Sequence, residues 1–164
     1  ARWRARALAF IAQEAPDLLI IGSSDSYPFT EREWTEGMRS VLAEATATAD
    51  RVVILRSTPR LPFDGPRCAA RLRHAGVPLI GVDSCASPAS TPRSDEVHAW
   101  QQAIAGAFPS VAVVDMNDVV CPGNVCEATR DGTLVYSDDQ HLNAHFVRGL
   151  ADTLAERIGW GFAP

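Results

Sequence analysis

The sequence predicts an α/β domain, a three-layer sandwich in which helices cover both faces of a mostly parallel sheet. Three observations carry this. Short apolar or β-branched runs stand at Leu18 to Ile21, Arg51 to Leu55 and Val111 to Val114, lengths that suit strands rather than helices. Amphipathic stretches with helical periodicity separate those runs, and such alternation is the pattern of parallel crossovers. The 164 residues are 46% hydrophobic and 21% charged, an ordinary globular balance that allows one domain with a real core.

Taken in order, Arg2 to Glu14 is helical, because Trp3, Ala7, Phe10 and Ile11 recur at helical spacing until Pro16 stops them. Leu18 to Ile21 is then a buried parallel strand, followed by the polar loop Gly22-Ser23-Ser24-Asp25. Thr30 and Glu33 form a capping box, behind which Trp34, Met38, Val41, Leu42 and Ala45 make one apolar face. After the second strand, Thr58 to Pro66 is a Pro-rich loop. Cys68 to Ala75 is helical with Gly76 as its stop, Leu79 to Val82 is a weaker strand, and Ser84 to Pro92 is loop. Thr91-Pro92 starts a helix that runs to Phe108. Asp131-Gly132 between short β-like runs is a hairpin turn. The last helix takes Asn143 as N-cap, buries Val147, Leu150, Leu154 and Ile158, and ends at Gly159. Sheets of this class place their chemistry beyond the carboxyl ends of strands, which directs attention to loops 22–29, 56–66 and 115–141.

Composition excludes several function classes. A net charge of -5 with Arg scattered singly leaves no basic stripe for nucleic acid. All fifteen basic residues are Arg, and without Lys there is no P-loop, Schiff-base or Ser-Lys chemistry. No apolar stretch approaches the roughly 20 residues that span a bilayer, and no leader layout opens the chain. The first residue is Ala and leads directly into a helix, so an N-terminal segment is expected to precede it. Cys68, Cys85, Cys121 and Cys126 permit three pairings, and two bridges are expected. Their spacing lacks the two close pairs zinc prefers. Disulfides persist in oxidising compartments, which places the chain outside the cytoplasm.

One constellation carries chemistry. Tyr136-Ser137-Asp138-Asp139-Gln140-His141-Leu142-Asn143 sets an Asp three residues before a His. In such a turn the carboxylate can fix the imidazole tautomer while the other ring nitrogen serves as base. Other candidates have ordinary readings. His141 and His145 could share a metal at helical spacing, but there is no H-E-x-x-H and a first-turn His145 is expected, so no metal is assigned. His98 is expected on a helix surface, Trp3 and Trp34 in the core, and Asp115 and Asp118 in a solvated turn.

The run Cys121-Pro122-Gly123-Asn124-Val125-Cys126, Asp131-Gly132, Tyr136-Ser137-Asp138 and His141-Leu142-Asn143 resembles the end of SGNH hydrolases, in particular the SGNH domain fused to membrane acyltransferase-3 proteins. Cys68, Cys85 and the pattern from Pro16-Asp17-Leu18 through Gly22 fit the same family. The resemblance implies a single SGNH/flavodoxin-like domain over residues 1–164 that lacks its first strands. It implies Asp138 and His141 as catalytic partners of a serine in a G-D-S block, which these residues do not contain. Gly22-Ser23-Ser24-Asp25 aligns with the family's G-x-N-D, putting Ser24 where an oxyanion-hole Asn stands. The bridges expected are Cys121-Cys126 and Cys68-Cys85. The implied activity is O-acyl transfer, chiefly of acetyl, or ester hydrolysis. It takes an acylated donor and a cell-envelope carbohydrate or lipid acceptor, no cofactor, and a membrane acyltransferase domain upstream. The other reading is a non-catalytic envelope-binding or scaffolding module.

Overall fold

A computed structural model describes residues 2–75 and 85–159. The expected strand Leu79 to Val82, the Gly76 stop and Trp160 lie outside the described residues. Along the chain run α1 (Arg2–Glu14), β1 (Leu18–Gly22), α2 (Glu31–Ala45), β2 (Arg51–Leu55), α3 (Gly65–Ala75), β3 (Ala86–Pro88) and α4 (Pro92–Ala105). After these come β4 (Val111–Val114), α5 (Asn117–Val120), a 3-10 turn (Pro122–Asn124), β5 (Val125–Glu127), β6 (Thr129–Arg130), β7 (Thr133–Leu134), α6 (Ala144–Arg148) and α7 (Ala151–Arg157). They gather into two compact units, residues 1–57 with 92–115 and residues 58–91 with 116–164.

The first unit is an α/β assembly on a three-stranded parallel sheet ordered β1-β2-β4. Its middle strand explains the unbroken apolar run, since Val52, Val53 and Ile54 are all buried on one face or the other. Leu18 pairs with Arg51 and Gly22 with Leu55, while Leu55 also faces Val114. Among the described residues β1 is paired along one edge only, and Ile20 is 42% exposed on it. The Thr30–Glu33 capping box starts α2 as expected, and Trp34, Met38, Leu42 and Ala45 recur every fourth or third residue on its buried face. They pack with Val52 and Ile54 and with Val97 and Ile104 of α4. That helix stops at Ala105, three residues short of the expected Phe108.

The bounds of α1 are those expected, but its face is not. Trp3 is 81% and Phe10 62% exposed, where core positions were expected for the apolar face. The inward stripe is Ala7, Leu8 and Ile11, half-buried, with Arg4 bonded to Ser40 and Glu44 of α2. Trp3 and Phe10 lie roughly 100° around the helix from that stripe, because each residue turns the chain by about that angle.

The second unit sets short elements and covalent ties around an apolar core of its own, in which Leu61, Val120, Val135 and Tyr136 are buried. The bridges are Cys68–Cys85 and Cys121–Cys126. Residues expected as loop form β3, which pairs antiparallel with β5, Ser87 opposite Cys126. The expected turn is present, with Asp131 (φ 50°) and Gly132 (φ 77°) both left-handed, as the two-residue turn joining β6 to β7 requires. The helix α3 begins at Gly65 rather than Cys68, its first turn held by Asp64 Oδ1 accepting from the Arg67 amide. The expected final helix is two helices, α6 and α7. At the break the amides of Gly149 and Leu150 reach back only three residues, to Phe146 and Val147. Val147 is consequently 43% exposed, and Phe146 packs inward in its stead.

Candidate active site

The Asp138 turn is positioned from both of its flanks by backbone hydrogen bonds within the second unit. Before it, Val135 and Tyr136 are fully buried, and the Tyr136 hydroxyl donates to the Pro59 carbonyl at 3.0 Å. Burial pushes that phenol up to about 12, so it stays a neutral donor. The turn closes on itself through the Ser137 amide to the His141 carbonyl (2.7 Å), and the Asn143 amide bonds the Val135 carbonyl (2.8 Å). The Asn143 side chain then caps α6 by accepting from the His145 amide at 2.9 Å. The loop before α3 forms the other support: the Leu61 amide donates to the Asp139 carbonyl at 2.8 Å and the Gly65 amide to the Asp138 carbonyl at 3.1 Å. Glycine at position 65 allows this close approach, since a Cβ there would stand 3.2 Å from both the Asp138 carbonyl oxygen and the Tyr136 Cβ and would require them to give by a few tenths of an ångström.

Held this way, Asp138 and His141 meet. Oδ2 of Asp138 lies 2.7 Å from His141 Nδ1, while Oδ1 accepts from the amides of Gln140 and His141, each at 2.7 Å. Those amides, with the imidazole, hold the Asp138 carboxyl down at about 2. The carboxylate is thus ionised throughout the neutral range. His141 has a 70% exposed side chain, and its Nε2 makes no hydrogen bond among the described residues. Such a pair can orient an imidazole and stabilise its protonated form. The neighbouring Asp139 does something else, with its Oδ2 accepting from Arg60 Nε at 3.1 Å.

Ser24 sits in the loop after β1, in the first unit. Its Oγ lies 2.7 Å from Ser26 Oγ and accepts from the Ser26 amide at 3.2 Å. Arg93 of α4 fixes this loop, donating through Nη2 to the carbonyls of Tyr27 (2.9 Å) and Phe29 (2.8 Å) while its guanidinium lies over Trp100. Nothing in the sequence singled out Arg93.

A second polar group was also missed. Arg56 and Asp115 follow β2 and β4 directly, so the parallel register that sets Leu55 against Val114 brings them together at 2.8 Å. Asp95 completes the pair at 2.6 Å. His98, expected on the helix surface, is instead largely covered, its side chain only 17% exposed and its Nε2 4.0 Å from Asp115. The expected solvated turn is therefore an ion-paired one, since Asp118 also takes a two-pronged contact from Arg157. Among the described residues no group of three His, Cys, Asp or Glu side chains could hold a metal ion.

The comparisons with known proteins bear on this geometry. The family model described as "SGNH domain (fused to AT3 domains)" matches residues 1–156. Among solved structures, the chain is similar to the periplasmic domain of the Salmonella ser. Paratyphi A lipopolysaccharide acetyltransferase, with a TM-score of 0.67 and 10% sequence identity. That match covers 94% of this chain and 60% of the Salmonella chain, so the present sequence spans about three-fifths of that domain's length. No curated protein matches.

Proposed function

The chain belongs to the family of SGNH domains fused to AT3 domains, and from that premise we propose that it serves serine-dependent O-acyl transfer or ester hydrolysis. In this reading Asp138 and His141 complete a triad with a serine supplied upstream of Ala1. The serine Oγ attacks the acyl carbonyl, forming the C–O bond, and its proton passes to His141 Nε2. Asp138 keeps Nδ1 protonated and stabilises the imidazolium. Collapse of the tetrahedral intermediate expels the donor's leaving group, which takes that proton. A hydroxyl of the acceptor, or water, then gives its proton to Nε2 and attacks the acyl-serine, and collapse of this second intermediate breaks the acyl–Oγ bond as Oγ takes the proton back from Nε2. In this reading backbone amides hold the oxyanion, and Ser24 is the side-chain candidate that the family resemblance implies.

The acyl group in this reading is acetyl and the acceptor a cell-envelope carbohydrate or lipid. The domain works outside the cytoplasm, tethered through an upstream membrane acyltransferase domain. Two disulfides support an oxidising compartment. No helix among the described residues is long and apolar enough to cross a membrane.

The observation that carries the proposal is the 2.7 Å Asp138–His141 contact with Nε2 left open. Hydrolysis of a small acetyl ester tests it on three proteins: this chain, the chain extended through its upstream segment, and the extended form with His141→Ala. The extended protein should be active and the variant should lose about a thousandfold or more. Activity of the short chain that Ser24→Ala abolishes would move the nucleophile to Ser24. An extended protein inert towards esters and envelope acceptors would favour the non-catalytic module, which Ser24 standing at the Asn position also favours.

A further inference from the structure

The second unit carries a cavity of about 610 Å³ in which α3, the β6–β7 hairpin and the start of α6 all take part. Its size suits a small-molecule ligand. Three kinds of wall converge on it. Leu72 and Leu134 are apolar, Thr129 and Thr133 present hydroxyls that make no hydrogen bond among the described residues, and Arg73 and His145 are basic. Asn143 also borders it, and with its side-chain oxygen committed to the His145 amide, its Nδ2 remains to donate.

The charge balance selects the ligand. No Asp or Glu among the described residues borders the cavity, and Arg73 forms no ion pair there, although the chain holds 20 acidic residues against 15 Arg. Arg4, Arg56, Arg60 and Arg157 each hold a carboxylate. Among the described residues bordering this cavity, Arg73 has no carboxylate partner, and its planar fork matches carboxylate or phosphate oxygens. The Thr hydroxyls and the Asn amide ask for several hydroxyl partners, and the leucines for a C–H face. The Cys68–Cys85 bridge ties α3 to Cys85, itself at the cavity wall, so the site is formed before the ligand arrives.

We propose that this cavity binds a polyhydroxylated ligand bearing an oxyanion, an acidic sugar in its simplest form, with Arg73 as the counter-ion. The proposal goes beyond the catalytic reading and does not depend on it, because binding here needs neither His141 nor a serine.

Calorimetry and amide chemical-shift mapping on the 164-residue chain test it with methyl glucuronide, glucosyl phosphate and, as the neutral control, methyl glucoside. At least one acidic sugar should bind and shift the amides of Thr133 and Asn143, and whichever binds tighter identifies carboxylate or phosphate as the natural group. Arg73→Gln should weaken binding about tenfold or more, and His141→Ala should leave it unchanged. Thr133→Val, on the β6–β7 hairpin, should weaken binding of the same sugar by a smaller factor. Equal binding of the neutral glucoside, wild-type affinity in Arg73→Gln, or no binding of either acidic sugar at millimolar concentration would overturn the proposal. The ester assay on the extended protein answers the catalytic question separately.

Discussion

Both units have an apolar core, and they differ in what is added to it. Residues 1–57 and 92–115 rely on an apolar interior in which β2, Leu42 and Trp34 meet Val97 and Ile104. Residues 58–91 and 116–159 also have an apolar interior, with Leu61, Val120, Val135 and Tyr136 buried in it, but their elements are shorter and two disulfides and loop-to-loop hydrogen bonds such as Leu61 to Asp139 and Tyr136 to Pro59 are added to it. A hydrophobic interior tolerates exchange of one apolar side chain for another of similar volume. A lattice of directed bonds does not, but it fixes atoms in place. The region that holds a carboxylate within 2.7 Å of an imidazole is the one that adds directed bonds and disulfides to its core.

The sharpest break of this contrast is expected at Leu42, which is fully buried in the first unit. Leu42→Ala should cost roughly 3 to 5 kcal/mol in chemical denaturation, while the amides of the Asp138 turn keep their hydrogen-exchange protection whenever the second unit holds by its own bonds. Loss of protection in both units together would mean that they unfold as one. Next in size is the Cys68–Cys85 bridge, which closes a 17-residue separation. On the chain-entropy account its removal by Cys68→Ser with Cys85→Ser should cost about 3 kcal/mol, read as exchange that quickens around α3 and β3 before the parallel sheet responds. A uniform change across both regions would contradict the division of labour.

The smallest effect concerns protons. Asp138 is held at about 2, first by the His141 and Gln140 amides and then by the imidazole. A carboxyl depressed in the folded state contributes stability that is complete above its unfolded pKa of about 4 and is lost as pH falls through the folded value. Carbon-detected titration should therefore place the Asp138 midpoint near 2 in the folded chain. In His141→Ala the midpoint should rise yet stay below the ordinary carboxylate value, because both backbone donors remain. A midpoint at the ordinary value in that variant would show that the imidazole, rather than the turn, holds the charge.

Much of the first unit was legible in the sequence, and for a physical reason. Strands β1, β2 and β4 are continuous apolar runs, and a capping box marks α2 within four residues, so local signals suffice. The Asp131-Gly132 turn and the Asn143 cap were legible for the same reason. Pairing of β3 with β5 was not, since Ala86–Pro88 has no alternation and its partner lies beyond α4 and β4. Nor was the outward face of α1, where Trp3 and Phe10 satisfy helical periodicity without facing the interior. The spacing of Asp138 and His141 could be read directly. What braces them could not, because Leu61 and Gly65 are distant in sequence and carry no motif.

That distance sets an order of events. The contact from Arg60 to Asp139 spans 79 residues, and Tyr136 reaches Pro59 across 77. Closing such loops costs entropy before any contact returns it, so long-range pairings form late. A chain emerging from its N-terminus exposes residues 59–65 well before residues 136–141 exist to meet them. The three described strands of the parallel sheet, of which β4 ends at Val114, are all made by then. The Asp138–His141 contact can accordingly be braced only after the three described strands of the sheet have been made.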